Sequence, residues 1–196
     1  MPSNPSRFHR TNVTDTCAVW NVLSSFRLYS AASQAGCSFC CTAFVRYECL
    51  DKPRRSASTE EQELQQRLRK AISRREIVVC PLEVDDLLEV ECLEKRKRLD
   101  KGELSSMALA KRLQQGFMTD DQGARDLAEA ALSVPVQTTP HLLGWLFFTE
   151  RLTDADKDIV IAEHQAVQRP LSKFFEVMYL RALEYRQMAS AQRHES

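Results

Sequence analysis

Residues 116–131 read GFMTDDQGARDLAEAA. Phe117 to Thr119 is a short run closed by two acids, Asp120 and Asp121, after which Ala124, Leu127, Ala128 and Ala131 recur at helical spacing. The segment predicts a strand that ends on carboxylates and passes directly into a helix. The same pattern recurs along the chain. Thr11 to Thr14 predicts a strand ending on Asp15, followed by a helix with Val19, Val22, Leu23 and Phe26 on one side. Cys37 to Tyr47 is an apolar and β-branched run that predicts a buried strand ending at Glu48. Ile77 to Leu82 predicts another, leading into a helix whose first turn carries Glu83, Asp85 and Asp86, acids suited to the positive end of the helix dipole. Val134 to Thr139 predicts the last strand, with Pro140 at the start of a helix running to about Arg151. Five strands alternating with helices argue for an α/β fold in three layers, with a mainly parallel central sheet covered on both faces.

Local signals fill in the connections. Leu28 to Gln34 predicts a helix stopped by Gly36, and Ser58 with Glu61 has the spacing of a capping box opening a helix striped by Leu64, Leu68, Ala71 and Ile72. Gly102 breaks the pattern, and Glu103 opens a helix with Leu104, Met107, Ala108 and Leu113 on one side, which Gly116 ends. Two further helices are expected over Thr153 to Val167 and Leu171 to about Gln192. The expected organisation is a flexible leader over 1–10, a main domain over 11–152 and a C-terminal helical extension over 153–196.

Of the 196 residues 43% are hydrophobic and 28% charged, enough for a sizeable core and against wholesale disorder. Lys+Arg and Asp+Glu both total 27, so bulk charge advertises no nucleic-acid partner and any such contact must rest on local patches. No apolar run approaches the roughly 18 residues of a membrane-spanning helix, and the first ten residues lack the apolar core of a signal peptide. Seven cysteines, with Cys40 and Cys41 adjacent, are poor material for a disulfide framework. A cytoplasmic protein with no membrane contact is the expectation.

The five glycines form neither a G-x-G-x-x-G turn nor a phosphate-binding P-loop, which argues against dinucleotide oxidoreductases and P-loop nucleotidases. No G-x-S-x-G elbow and no H-E-x-x-H pair is present, and Asp15 lacks the D-x-D pattern of haloacid-type phosphatases. What remains is acid. Ligands of an open parallel sheet bind outside the carboxyl ends of its strands, where Asp15, Glu48, Asp120 and Asp121 are expected, with Glu103 at a helix start on the same rim. Like charges so gathered raise one another's pKa unless a hard divalent cation, Mg²⁺ or Mn²⁺, neutralises them. Such a cation can activate water for in-line displacement at a phosphodiester.

These acids also carry a family resemblance. Asp15-Thr16-Cys17 with Val19, Asn21, Val22 and Leu23 looks like the first motif of the PIN domain family, and residues 43–50 (AFVRYECL) resemble its second strand and acid. Residues 102–110 (GELSSMALA) are similar to the third motif and residues 119–125 (TDDQGAR) to the fourth, in the family's order over about residues 11–150. The resemblance implies a PIN-like metal-dependent ribonuclease, often the toxin of a toxin–antitoxin pair. It would make Asp15, Glu48, Glu103 and Asp121 metal ligands, with Asp120 the alternate for the last, and would have Thr119 orient that carboxylate or the water. Cys17 stands where the family often has Asn or Ser. The rival expectation is a non-catalytic member of the fold acting as an RNA-binding or protein-interaction module.

Three other features have expected roles. Cys37, Cys40, Cys41 and Cys49 read as small buried hydrophobes, since no second C-x-x-C and no spaced His pair completes a zinc set. Within the basic run of residues 95–101, Lys97, Arg98 and Lys101 stand just before Glu103, as a solvated helix end or a grip on an RNA backbone. Leu171, Phe174, Phe175, Met178, Ala182 and Tyr185 form a helical stripe that could cover the domain's own sheet, pair two copies in a homodimer, or receive an antitoxin protein.

Overall fold

The computed structural model describes residues 4–53, 56–169 and 171–194. Among them, five strands alternate with helices: β1 (Thr11–Thr14), α1 (Thr16–Ser24), α2 (Phe26–Gln34), β2 (Ser38–Thr42), α3 (Ala43–Leu50), α4 (Thr59–Ser73), β3 (Ile77–Cys80), α5 (Val84–Arg96), α6 (Lys101–Leu113), β4 (Gly116–Met118), α7 (Gln122–Ala131), β5 (Val136–Gln137), α8 (Thr139–Phe148), α9 (Asp154–Ala166) and α10 (Ser172–His194). The strands form one sheet in the order β3-β2-β1-β4-β5, and every pair is parallel. The chain runs outward from β1 to β3 and then returns to pair β4 with the other side of β1. That reversal makes a topological switch point at the carboxyl ends of β1 and β4, the position of the ligand crevice in open parallel sheets.

Both faces of the sheet are covered because its strands alternate between two apolar clusters. Phe39, Cys41 and Ile77 join one cluster with residues of α1, α2, α4, α8, α9 and α10. Val13, Cys40 and Phe117 join the other with residues of α5, α6 and α7. Cys37, Cys40, Cys41 and Cys49 are buried in these clusters, and all seven cysteines are free.

The local signals at Ser58–Glu61 and Gly36 hold: the capping box is formed on both sides, and Gly36 takes φ +80° just past α2. The run Cys37 to Tyr47 is not one strand. It breaks at Thr42, whose hydroxyl accepts the Val45 N–H at 3.2 Å and caps α3, so Glu48 lies on a helix rather than at a strand end. A short apolar run fits a buried strand and a buried helix equally well, and the cap decides. Gly102 does not break a helix either; it lies in the first turn of α6, beneath the Glu48 carboxylate. Gly116 starts β4, and the turn before it is made by Gln114 in the left-handed region at φ 52°.

Residues 4–10 of the expected leader lie against the domain. Phe8 stacks on Trp145 at 5.4 Å and meets His141 edge-on, and the His9 N–H donates to Gln137 Oε1. The C-terminal helices share the first cluster through Val160, Val167, Phe175 and Ala182. Gly144 lets α8 approach α10, since a Cβ there would stand 3.2 Å from the Met178 carbonyl oxygen. Phe175, Met178 and Ala182 of the predicted stripe are buried and cover the domain's own core, whereas Phe174 is 62% exposed. No helix among the described residues is long and apolar enough to cross a membrane.

Candidate metal centre

Asp15 follows the last residue of β1 and caps α1. Its Oδ1 accepts the Ala18 N–H at 2.8 Å and its Oδ2 accepts the Thr119 hydroxyl at 2.5 Å. The Cys17 thiol, 3.1 Å from Oδ1, adds a third donor, so the position where a polar Asn or Ser was expected still supplies a hydrogen bond. Asp15 is fully buried, and no lysine or arginine among the described residues pairs with it. Burial raises its carboxyl from an ordinary 3.8 to about 7, against the lowering effect of the Thr119, Ala18 and Cys17 hydrogen bonds; the nearby Asp120 charge adds to the rise.

Thr119, directly after β4, links two of the acids. Its hydroxyl donates to Asp15 and accepts the Asp121 N–H at 3.1 Å. Asp121 is exposed at the start of α7 and caps it through the Ala124 N–H at 2.8 Å. Asp120 points elsewhere: Oδ2 accepts from Asn21 Nδ2 at 2.8 Å and from the Thr139 hydroxyl at 2.5 Å, and Oδ1 accepts the Thr139 N–H. It ties α1 and the start of α8 to the end of β4.

Glu48 reaches the same rim from α3. Thr16, next to Asp15, donates its hydroxyl to Glu48 Oε2 at 2.5 Å, and the Gly102 N–H donates to Oε1 at 3.1 Å. Glu103, half-buried in the first turn of α6, accepts the Asp100 N–H at 3.0 Å. Its carboxyl is raised, first by burial and then by the charges of Asp121, Asp100 and Glu48, with the Asp100 hydrogen bond opposing. Asp15 and Asp121 therefore lie at the carboxyl ends of β1 and β4, and Glu48 and Glu103 approach the same rim, Glu103 near enough to Asp121 and Glu48 to feel their charges. No chain, family model or solved structure compared with this one matches it.

Each acid is engaged with its own backbone or a neighbouring hydroxyl, and among the described residues no group of three acidic, histidine or cysteine side chains is close enough to form a ready metal cage. Lys97 reaches the α7 N-terminus: its ammonium donates to the Gly123 carbonyl at 3.0 Å, beside Asp121, and lies 3.9 Å from Asp126. Lys101 pairs with Glu94 at 2.7 Å, and Arg98 is exposed. A cavity of about 910 Å³ between α8 and α10, lined by Phe148, Glu150, Leu183 and Arg186, lies away from all of these acids.

Three N-termini, of α1, α6 and α7, lie at this rim, and their N–H groups, which have no partner within the helix, favour negative charge and are met by Asp15, Glu48 and Asp121. Capping alone explains Asp121 and Glu103. It does not explain Asp15. An N-cap contributes about 1 kcal/mol, and Asn or Ser would supply it without charge. A carboxyl raised from 3.8 to about 7 costs the ionised form about 4 kcal/mol. A buried carboxylate at that cost fits a site that would receive a cation, and the carboxylate oxygens at this rim would suit Mg²⁺ or Mn²⁺, with the Cys17 thiol beside them.

Gly102 gives a test of the arrangement. A methyl group there would overlap the Glu48 carboxylate, with Cδ at 2.9 Å. Alanine normally improves a helix by about 1 kcal/mol over glycine, and the obstacle is the far end of a flexible side chain. Gly102→Ala should therefore keep its melting temperature while displacing Glu48 and weakening Mn²⁺ binding about tenfold by isothermal titration. Unchanged Mn²⁺ affinity would remove Glu48 from the ligand set.

Proposed function

We propose that the protein is a metal-dependent endoribonuclease of PIN-like type, with Mg²⁺ or Mn²⁺ held by Asp15, Glu48, Glu103 and Asp121. The observation that carries this reading is the fully buried Asp15 carboxylate at the switch point of the sheet, hydrogen-bonded but with no lysine or arginine among the described residues to balance its charge. A bound cation would supply Lewis acidity and an activated water for in-line displacement at a phosphodiester. Thr119 holds Asp15 and the start of α7 in a fixed relation, and Thr16 and the Gly102 N–H hold Glu48. Asp120 braces the crevice through Asn21 and Thr139. Lys97 stands where the backbone phosphate of an RNA would approach α7, and Lys101 and Arg98 extend that basic edge. The same reading takes the protein to the cytoplasm and makes it a candidate toxin, with a small antitoxin protein or a second copy of the chain as partner.

The test is cleavage of mixed single-stranded and structured RNA by the full chain with Mg²⁺ or Mn²⁺. Cleavage should occur with either ion and stop in EDTA. Cleavage undiminished by EDTA would end the metal mechanism.

One observation favours a second reading. The acids are each held by hydrogen bonds of their own, and no three converge on a common point among the described residues. A non-catalytic module on this fold, binding RNA or protein, needs no convergence. Intact RNA binding without cleavage in that assay would select it.

A further inference from the structure

Beside Glu48 lies a cavity of about 500 Å³ lined by Ala43, Phe44, Tyr47, Glu48, Lys52, Asp100 and Lys101. Phe44 and Tyr47 are three residues apart on α3 and so share one helix face. They are 38% and 49% exposed and stand together, unlike Phe26 and Phe174, which are exposed elsewhere and line no part of this cavity. Two lysines line the same cavity. Asp100 sits among them, with its carboxylate drawn into the capping box of α6. The Lys101–Glu94 pair is exposed on both sides, and such pairs contribute little, so Lys101 can turn to another anion.

We infer that this cavity is a nucleobase-stacking subsite for single-stranded RNA, next to the proposed cleavage centre. The inference rests on the nuclease reading for its substrate, but its aromatic residues, Phe44 and Tyr47, have no part in that reading. An exposed aromatic pair offers a flat face that any base can stack against, and flanking lysines meet the adjoining phosphates. A duplex keeps its bases stacked on one another and has no face to offer. The shared wall at Glu48 then fixes the position of the scissile phosphate relative to the stacked base, so the subsite positions the substrate for the metal centre.

The experiment measures binding in EDTA, where cleavage cannot interfere. A short fluorescein-labelled single-stranded RNA of mixed sequence is titrated with wild-type chain, Tyr47→Ala, Phe44→Ala and the double lysine variant Lys52→Ala/Lys101→Ala, with fluorescence anisotropy as the readout. Each aromatic variant should bind about tenfold more weakly, while the weak binding of a duplex of the same sequence should not change. The double lysine variant should show a shallower dependence of log Kd on log salt, by about 0.7 for each phosphate that a lysine no longer neutralises. A 2-aminopurine in the RNA should be quenched by wild type and less so by Tyr47→Ala. Thermal melts of each variant exclude loss of fold.

Equal single-strand affinity in wild type and both aromatic variants overturns the subsite, as does a wild-type chain that binds no RNA. The outcomes separate the two claims. Metal-dependent cleavage with aromatic-insensitive binding removes the subsite and keeps the nuclease; aromatic-sensitive binding without cleavage keeps the subsite and removes the nuclease.

Discussion

Asp15→Asn should melt on the order of 5–10 °C above wild type at pH 8 in EDTA, and should lose RNA cleavage by about 100-fold or more. The two effects have opposite signs and one origin. Asparagine keeps the size of the side chain and an oxygen for the Ala18 N–H, and Thr119 can turn its hydroxyl to accept from the new amide. What disappears is a buried charge. Because the folded protein raises the Asp15 carboxyl from 3.8 to about 7, the folded state binds a proton more tightly than the unfolded chain. Stability from this group is therefore highest below pH 3.8, falls as pH rises towards 7, and stays low above it. The advantage of Asn over Asp should grow across that window and vanish near pH 4. Mn²⁺ should raise the melting temperature of wild type at pH 8 and leave the variant unmoved. Equal melting of the two proteins at pH 8 in EDTA would contradict the account of Asp15 as an uncompensated charge.

The second large effect belongs to the C-terminal helices. Phe175→Ala should destabilise the fold by about 3–5 kcal/mol and lower the melting temperature by roughly 10 °C. Phe175 is fully buried and meets the His164 ring edge-on at 4.7 Å. His164 in turn places its Nε2 2.9 Å from the Asn21 carbonyl, and Asn21 holds Asp120. A cavity at Phe175 thus loosens the packing behind the crevice as well as the core. Phe174→Ala, one residue away and mostly exposed, should change stability by less than about 0.5 kcal/mol. Differential scanning calorimetry of the two variants checks both numbers. Similar melting of Phe175→Ala and wild type would show that α10 is not part of the cooperative core.

The features legible in the sequence are those fixed by neighbours in the chain. Asp15 and Asp121 can be placed because each follows a short strand and precedes a helix, and Ser58 and Glu61 announce their helix by spacing alone. All five strands are visible in the sequence, although β1 (Thr-Asn-Val-Thr) holds one apolar residue, and their alternation with helices implies the parallel sheet. The order β3-β2-β1-β4-β5 is not legible, because it depends on which strand edges meet across long connections. Glu48 stands out as an acid but not as a helix residue, since nothing in residues 37–47 except the capping role of Thr42 distinguishes strand from helix. Thr16 and Asn21 fall in the stretch that resembles the first PIN motif, but the sequence assigns them no partner, and Thr139 carries no signal at all: Thr16 bonds an acid 32 positions away, and Asn21 bonds Asp120 from 99 positions away. Gly102 does carry one, because a glycine in a helix's first turn can mark the close approach of another side chain as well as a break. The stripe at residues 171–185 has the spacing of one face, but the helix turns Phe174 to solvent and keeps Phe175 inside.

The central claim is that the carboxylates around the β1–β4 crevice hold a divalent cation. The most direct measurement is a crystal of the full chain soaked in Mn²⁺, with the ion located by its anomalous scattering. The account predicts a peak at the crevice coordinated by Asp15 and Asp121, with Glu48 or Glu103 turned away from its present hydrogen bond to complete the set. Density lacking any such peak, with Asp15 still bound to Ala18 and Thr119 and Glu48 still bound to Thr16 and Gly102, would contradict it.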